Sequence, residues 1–409
     1  MVPNDWSLRL ISDTAKVITG NTPSTKEPSY YGGEIPFVSP ADLGSSKLIS
    51  STNKTLTLKG FEKSRAIRKG ATLFTCIGST IGKLGQANCE LATNQQINAV
   101  VPFPSFDDDF IYYQLKMRAK FISKLAGTQA VPIINKTTFE SQSLLAPDSL
   151  PEQHKIAKII STWDKAITTT KKLIETSKQQ KKALMQQLLT GKKRLVNPDT
   201  GEAFEGKWEE VHIGDICKVN PKKPSEPQNG LVSFIPMDAV SEDAKLLRAE
   251  VRKYTDVSKG FTSFKDADTL IAKITPCFEN GKGAKVDGLE NGVGFGSTEF
   301  HVLRAKKGTC PDFIYFITNT SAFRVRGEMN MQGSAGQKRV TTDYLKVYKM
   351  VVPKELAEQQ KIASVLTAAD KEIEVFEAKL THLKLERKAL MQQLLTGKRR
   401  VKVDDMEVA

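Results

Sequence analysis

The sequence predicts an α+β protein in which two small globular domains alternate with two long helices, the whole arising by internal duplication. Three observations carry this reading. The chain has 409 residues, enough for about two to four domains of 100–200 residues. An eleven-residue segment occurs twice without change, and an apolar seven-residue periodicity leads into each copy. With 39% hydrophobic and 26% charged residues, the chain can bury cores, which excludes wholesale disorder.

The duplication comes first because it sets the layout. Lys182 to Lys192 reads Lys-Ala-Leu-Met-Gln-Gln-Leu-Leu-Thr-Gly-Lys and returns unaltered at Lys388 to Lys398, an offset of 206. The same offset pairs Glu152-Gln153 with Glu358-Gln359, Lys155-Ile156-Ala157 with Lys361-Ile362-Ala363, and Asp164-Lys165 with Asp370-Lys371. Upstream, weaker landmarks recur in order: Trp6 with Trp208, Phe37-Val38 with Phe234-Ile235, Thr72-Leu73 with Thr269-Leu270, Phe110-Ile-Tyr-Tyr113 with Phe313-Ile-Tyr-Phe316, and Pro147 with Pro353. Their offsets drift between 197 and 206, so loops have changed length there. The expected layout is a variable domain at 1–150, a helix region at 151–198, a variable domain at 199–355 and a second helix region at 356–409.

In the second helix region, Ile362, Leu366, Ala369, Ile373, Phe376, Leu380, Leu383, Arg387, Leu390 and Leu394 alternate steps of four and three, the seam of a heptad coiled coil broken only by Arg387. The first copy keeps this register through Ile156, Ile160, Trp163, Ile167, Thr170, Ile174, Ser177, Lys181, Leu184 and Leu188. Pro151 and Pro353 mark the starts and Gly191 and Gly397 the ends, the usual proline-glycine asymmetry of helices. Roughly 40 residues at about 1.5 Å each make a rod on the order of 60 Å. Such a pair could simply brace the fold. Two features argue for more. Residues 152–195 carry 11 Lys or Arg against 3 acidic residues, and 358–401 carry 9 against 6. The identical segments also hold alike their outward positions Gln186, Gln187 and Lys192, and Gln392, Gln393 and Lys398. Two equal surfaces suggest two copies of one partner.

The variable domains mix short β-branched or aromatic runs, such as Ile97-Asn-Ala-Val-Val101 and Phe300-His-Val-Leu303, with glycine-rich turns. Several polar loops there carry the side chains that read DNA: Gln bonds the adenine edge, Arg and Lys the guanine edge, and Lys or Ser the phosphates. The candidates are Ser79, Thr80, Lys83, Gln95, Gln96, Gln129 and Lys136 in the first domain, and Lys273, Lys282, Lys285, Gln337, Lys338 and Arg339 in the second. A net charge of +14 suits a polyanionic partner.

Signals for chemistry are lacking. Gly78 to Lys83 has three residues between its glycines and Leu84 where a phosphate loop needs Ser or Thr. Gly292-Val-Gly294-Phe-Gly296 sits in a strand-like context without a following helix. Asn197-Pro198-Asp199-Thr200 matches only the first half of the Asn-Pro-Pro-aromatic tetrapeptide of amino-methyltransferases. Five scattered cysteines and four scattered histidines signal neither a disulfide framework nor a metal site. No catalytic residue, bound cofactor or metal is expected. No apolar run nears 18 residues and the start lacks a signal-peptide pattern, so a cytoplasmic protein without a membrane is expected.

With Trp near each start, the Thr-Leu and Phe-Ile-Tyr landmarks, Pro-x5-Gln-x-x-Ile-Ala at 147–157 and 353–363 and the twice-present undecapeptide, the chain resembles the specificity subunit of type I DNA restriction-modification systems over essentially its whole length. The resemblance implies two target-recognition domains separated by two antiparallel helices in a pseudo-twofold arrangement. It also implies a non-catalytic reader of double-stranded DNA in which each domain recognises half of an asymmetric bipartite site. Its implied partners are two methylase subunits, which carry S-adenosylmethionine, and restriction or motor subunits using ATP and Mg. Gln186, Gln187, Lys192, Gln392, Gln393 and Lys398 would then face the methylases. Two alternatives stay open: a stand-alone DNA-binding regulator or bridging protein, and a nuclease built on Asp268, Glu279 and Lys282.

Overall fold

The computed structural model describes residues 3–127, 130–334 and 336–403. They fall into two compact units, Met1–Lys171 with Ala378–Ala409, and Lys172–Glu377. Four helices organise the two units: α1 (Asp108–Ser123), α2 (Leu150–Leu188), α3 (Pro311–Thr318) and α4 (Leu356–Leu394). The unit boundaries fall inside α2 and α4, so each unit combines the opening of one long helix with the end of the other.

In the first unit, a five-stranded sheet runs in the order Ala15–Thr19, Ile97–Pro102, Thr72–Thr75, Leu84–Ala87, Leu48–Ile49. Its inner strands Ile97–Pro102 and Thr72–Thr75 are covered on both faces, since Leu73, Phe74, Ala99 and Val100, which point to alternate sides, are wholly buried. A smaller sheet centres on Tyr31–Val38, and Trp6–Leu10 pairs antiparallel with Ser143–Pro147. In the second unit the order Cys217–Val219, Phe300–Ala305, Thr269–Ala272, Gly283–Lys285 repeats the first four places of that larger sheet. A second sheet holds Leu231–Ile235 between Glu250–Lys253 and Val293–Gly296, and Glu209–His212 pairs with Lys349–Val352. The glycine run lies in the strand Val293–Gly296, where a Cβ on Gly294 would stand 2.1 Å from the Phe264 ring. These glycines admit a neighbouring ring, which accounts for them without a nucleotide.

Several landmarks of the duplication have a structural duty done twice. Phe37 and Phe234 each sit on a strand paired in parallel, with Ala92 and Phe295. The Trp6 ring meets Phe110 edge-on at 6.3 Å, and Trp208 meets Phe313 in the same way at 6.4 Å. The Gln153 amide donates to the Pro147 carbonyl while its oxygen accepts from the Asp107 N–H just before α1; Gln359 does the same with Pro353 and with the Cys310 N–H just before α3. A buried Gln thus ties the start of each long helix to the start of the helix packed on it, satisfying groups that burial would otherwise leave unpaired.

The seam positions face inward. Ile156, Ile160, Ile167, Thr170, Ile174, Ser177 and Leu188 of α2 are buried, as are Ile362, Leu366, Ile373, Leu383 and Leu394 of α4, and the remaining seam residues are half-buried. Within the first unit Glu152 pairs with Arg400 and Asp164 with Arg387; within the second Lys178 pairs with Glu377 and Lys181 with Asp370. In both units one partner's number falls as the other's rises, so the paired segments run antiparallel. Arg387, the apparent break in the seam, and its counterpart Lys181 are each answered by an Asp of the opposite repeat. A seam charge placed opposite a counter-charge is a means of setting register.

The two ends of the long helices match in detail. The hydroxyls of Thr190 and Thr396 donate to the Gln186 and Gln392 carbonyls. Gly191 and Gly397 follow at φ +69° and +66°, and a Cβ on either would lie 3.2 Å from the Trp208 or Trp6 ring. Gly191→Ala is therefore expected to destabilise the second unit by about 1–2 kcal/mol, from left-handed backbone strain and crowding of the indole; urea unfolding would measure it, and an unchanged midpoint would contradict the stacking argument.

Candidate nucleic-acid interface

Three loops converge at one end of the larger sheet in the first unit. Residues 76–83 leave the strand Thr72–Thr75, residues 94–96 enter Ile97–Pro102, and residues 130–134 cross beside them. Four backbone hydrogen bonds lock them: Cys76 N–H to the Gln96 carbonyl at 2.8 Å, Ile134 N–H to Cys76 at 2.9 Å, Gly78 N–H to Pro132 at 2.9 Å, and Thr75 N–H to Lys83 at 2.9 Å. The second unit repeats all four. Lys273 N–H donates to Glu299 at 2.8 Å, Val340 to Lys273 at 2.9 Å, Thr275 to Lys338 at 2.9 Å, and Ala272 to Lys282 at 3.0 Å. Most of the residues singled out in the sequence therefore lie in two equivalent constellations: Ser79, Thr80, Lys83, Gln95 and Gln96 in one, and Lys273, Lys282, Gln337, Lys338 and Arg339 in the other.

Their individual settings differ. Ser79, Lys83 and Gln95 are exposed, while Thr80 and Gln96 are half-buried. Gln95 accepts from the Thr22 hydroxyl at 2.6 Å. Gln96 accepts from the Asn94 amide at 3.0 Å, so it braces its own turn. Lys136 opens a short helix capped by Asn135 and pairs with Glu140 at 3.4 Å. Gln129 lies outside the described residues. The segment Gly78 to Lys83 is a turn with Gly78 and Gly82 at φ +96° and +91°, not a phosphate loop opening a helix.

In the second unit Lys273 and Lys282 are half-buried, and Gln337 and Lys338 exposed. Arg339 makes a forked pair with Glu299, at 3.0 and 2.9 Å, and this guanidinium holds the Glu299 carboxyl below the usual carboxylate range. Arg339 is consequently pre-aimed, with part of its charge already answered. Lys285 stands apart from the constellation: its ammonium lies between Asp287 at 2.7 Å and Asp312 at 2.8 Å. Burial works to lower its pKa, yet the two carboxylates raise it overall. That cation is neutralised within the fold and joins the strand Gly283–Lys285 to the start of α3. Asp268 is 1% exposed and clamped by Arg304 at 2.8 and 2.6 Å, so it is structural and offers no open carboxylate beside Glu279 and Lys282.

Two kinds of residue escaped the sequence reading. Arg324 donates to the carbonyls of Phe278 and Gly281 and so anchors the loop ending at Lys282; burial pulls its pKa down to about 10. Val131, Pro132 and Ile133 were passed over because they are apolar, although the structure sets them where Gln337, Lys338 and Arg339 stand in the other unit. The duplicated surfaces also match: Gln186, Gln187 and Lys192 are exposed in the second unit, as are Gln392, Gln393 and Lys398 in the first. Gln186 lines a groove of about 650 Å³ with Lys182, Met185, Leu189, Ile317 and Tyr348. Among the described residues no helix is long and apolar enough to cross a membrane.

The family model for the type I restriction modification DNA specificity domain matches residues 3–178 and again 205–385. The chain belongs to this family. Among these specificity-domain proteins it is similar to the MjaVIII specificity subunit of Methanocaldococcus jannaschii, 25% identical over 98% of the chain and 94% of the relative. It is also similar to the EcoAI specificity subunit of Escherichia coli, 40% identical over 38% of the chain but only 26% of that relative, so the match spans about a quarter of the relative's length. A crystal structure of a type I S subunit from M. genitalium shares the fold, with a TM-score of 0.62 over 96% of this chain and 97% of that one at 15% identity. The double family match coincides with the duplication read from the sequence.

Proposed function

We propose that the chain is the non-catalytic DNA-reading subunit of a type I restriction-modification complex, each recognition domain reading one half of an asymmetric bipartite site in double-stranded DNA. The domains would comprise residues 1–150 and 199–355, and the helix regions 151–198 and 356–409 would set the gap between half-sites. The observation that carries this reading is the pair of equivalent loop constellations, alike in backbone and unlike in side chains, as two readers of different sequences need. The exposed Gln186, Gln187 and Lys192, and Gln392, Gln393 and Lys398, would dock two methylase subunits. S-adenosylmethionine would then reside on the methylases, and ATP and Mg on motor subunits; the chain itself binds no cofactor in this reading. Such a complex would act in the cytoplasm.

Mapping methylated adenines in cells with and without the chain tests this. Loss of one bipartite methylated motif together with the chain is expected, whereas an unchanged methylome would contradict the assignment. Tight, sequence-specific binding by the isolated chain, with no methylase co-purifying, would favour the regulator or bridging reading instead. A narrower expectation concerns Lys83, whose exposed ammonium suits a phosphate. Lys83→Ala should weaken binding alike across sequences and lower the salt slope by about 1. A change confined to one base position would instead make Lys83 a base reader.

A further inference from the structure

We propose that the two recognition loops read their half-sites by different chemistries: the first unit through apolar contact of Val131 and Ile133 with thymine methyl groups, the second through the hydrogen-bonding groups of Gln337, Lys338 and Arg339. This rests on the DNA-reading role above and deepens it. The equivalence of the two loops comes from backbone pairing and not from sequence likeness. Ile133 bridges Ile77 just as Arg339 bridges Ile274, and the carbonyls of Pro132 and Lys338 accept from Gly78 and Thr275. Counting from these anchors, Val131 stands at the place of Gln337, Pro132 at that of Lys338 and Ile133 at that of Arg339.

The apolar side chains are held out in water. Val131 is 54% exposed and Ile133 43% exposed, and Phe121 and Leu125 at the end of α1 are exposed as well. The loop cannot simply fold them inward. The next residue, Ile134, is buried and bonded to Cys76, and Asn135 caps the helix after it. Basic residues border the patch. Lys120 and Lys124 are exposed on the same end of α1, Arg118 stacks 5.2 Å from the Phe121 ring, and the turn carrying Lys83 packs against Ala119 and Ser123 through Gly82. Lys83, Lys120 and Lys124 make no ion pair with a described carboxylate. An apolar patch edged by cations suits a polyanion that itself carries apolar groups, and in the major groove that group is the thymine methyl. In the second unit the corresponding Arg339 is aimed by Glu299 and flanked by Gln337 and Lys338, donors and acceptors that suit purine edges.

The test uses the full chain in complex with its methylase subunits and duplexes of the methylated motif in which thymines are replaced by deoxyuracil, removing only the methyl. Each contacted methyl lost from the first unit's half-site should weaken binding about fourfold, the worth of one buried carbon at about 0.8 kcal/mol. The same replacement in the other half-site should change nothing. In Ile133→Ala the penalty at one thymine should vanish, and Val131→Ala serves as an independent second variant; both positions are surface-exposed, so folding is expected to survive. Equal affinity for thymine and uracil duplexes in both half-sites, with the motif still bound specifically, would overturn this proposal alone. Absence of any sequence-specific binding would instead sink the DNA-reading role beneath it.

Discussion

Replacing Arg400 by Ala is expected to destabilise the first unit by about 2 kcal/mol, since the Glu152 carboxylate left behind is buried while the guanidinium, 42% exposed, is partly screened by solvent. Glu152 is 3% exposed and both its oxygens are held by Arg400, at 2.7 and 2.8 Å. Without the guanidinium that carboxylate would lie buried in the first turn of α2 without its partner, and the packing there would open to water. Unfolding in urea should show a lowered midpoint at pH 7. The cost resides in the charge of the stranded carboxylate. Glu152→Gln together with Arg400→Ala should recover much of the loss for the same reason. A single variant as stable as the parent would mean that the pair contributes nothing. The repeat provides an internal control: Arg194 holds Glu358 in the same fork, at 2.6 and 2.8 Å, and Arg194→Ala should show a comparable effect in the second unit.

Removing one heptad from both long helices together, residues 168–174 and 374–380, is expected to shorten the gap between the two methylated half-sites by about 10 Å, or about three base pairs at 3.4 Å each. The deletion is placed between Asp164 and Lys181 on α2 and between Asp370 and Arg387 on α4, so the Asp164–Arg387 and Lys181–Asp370 pairs keep their partners, while the more exposed Lys178–Glu377 pair is lost with Glu377. Both half-site sequences should stay the same, since neither loop constellation is touched. Deleting the heptad from α2 alone should be far more harmful, because Asp164 would stay matched to Arg387 while Lys181 slid a full heptad away from Asp370, or the reverse. Methylome mapping reads both outcomes. A motif with an unchanged gap in the double deletion would remove the spacer role from the helices.

Much of the plan is legible in residue order because duplication writes it there. The offset of 206, the heptad periodicity and the glycine after each helix are local or periodic properties of the sequence, and α2 and α4 occur where those properties place them. The family match, over residues 3–178 and 205–385, follows the same duplication but stops short of both copies of the undecapeptide. Roles that need long-range pairing were illegible. Arg387 looks like a defect in an apolar seam until Asp164 is found opposite it, and Gln153 and Gln359 are marks of duplication whose duty only the fold reveals.

The candidate site divides along the same line. Residue type alone selected Lys83, Lys282, Gln337 and Lys338, and they do lie in the converging loops. It also selected Lys285, whose charge is spent on Asp287 and Asp312, and it passed over Val131 and Ile133. By itself, the sequence determined that the protein is doubled, which segments are helical and which loops are polar, since these follow from composition and spacing along one strand of chain. Only the tertiary structure decided which charges remain available and which residue of one unit stands in the place of which residue of the other. Those are questions of proximity between segments far apart in sequence, where loop lengths have drifted and only the backbone hydrogen bonds preserve the correspondence.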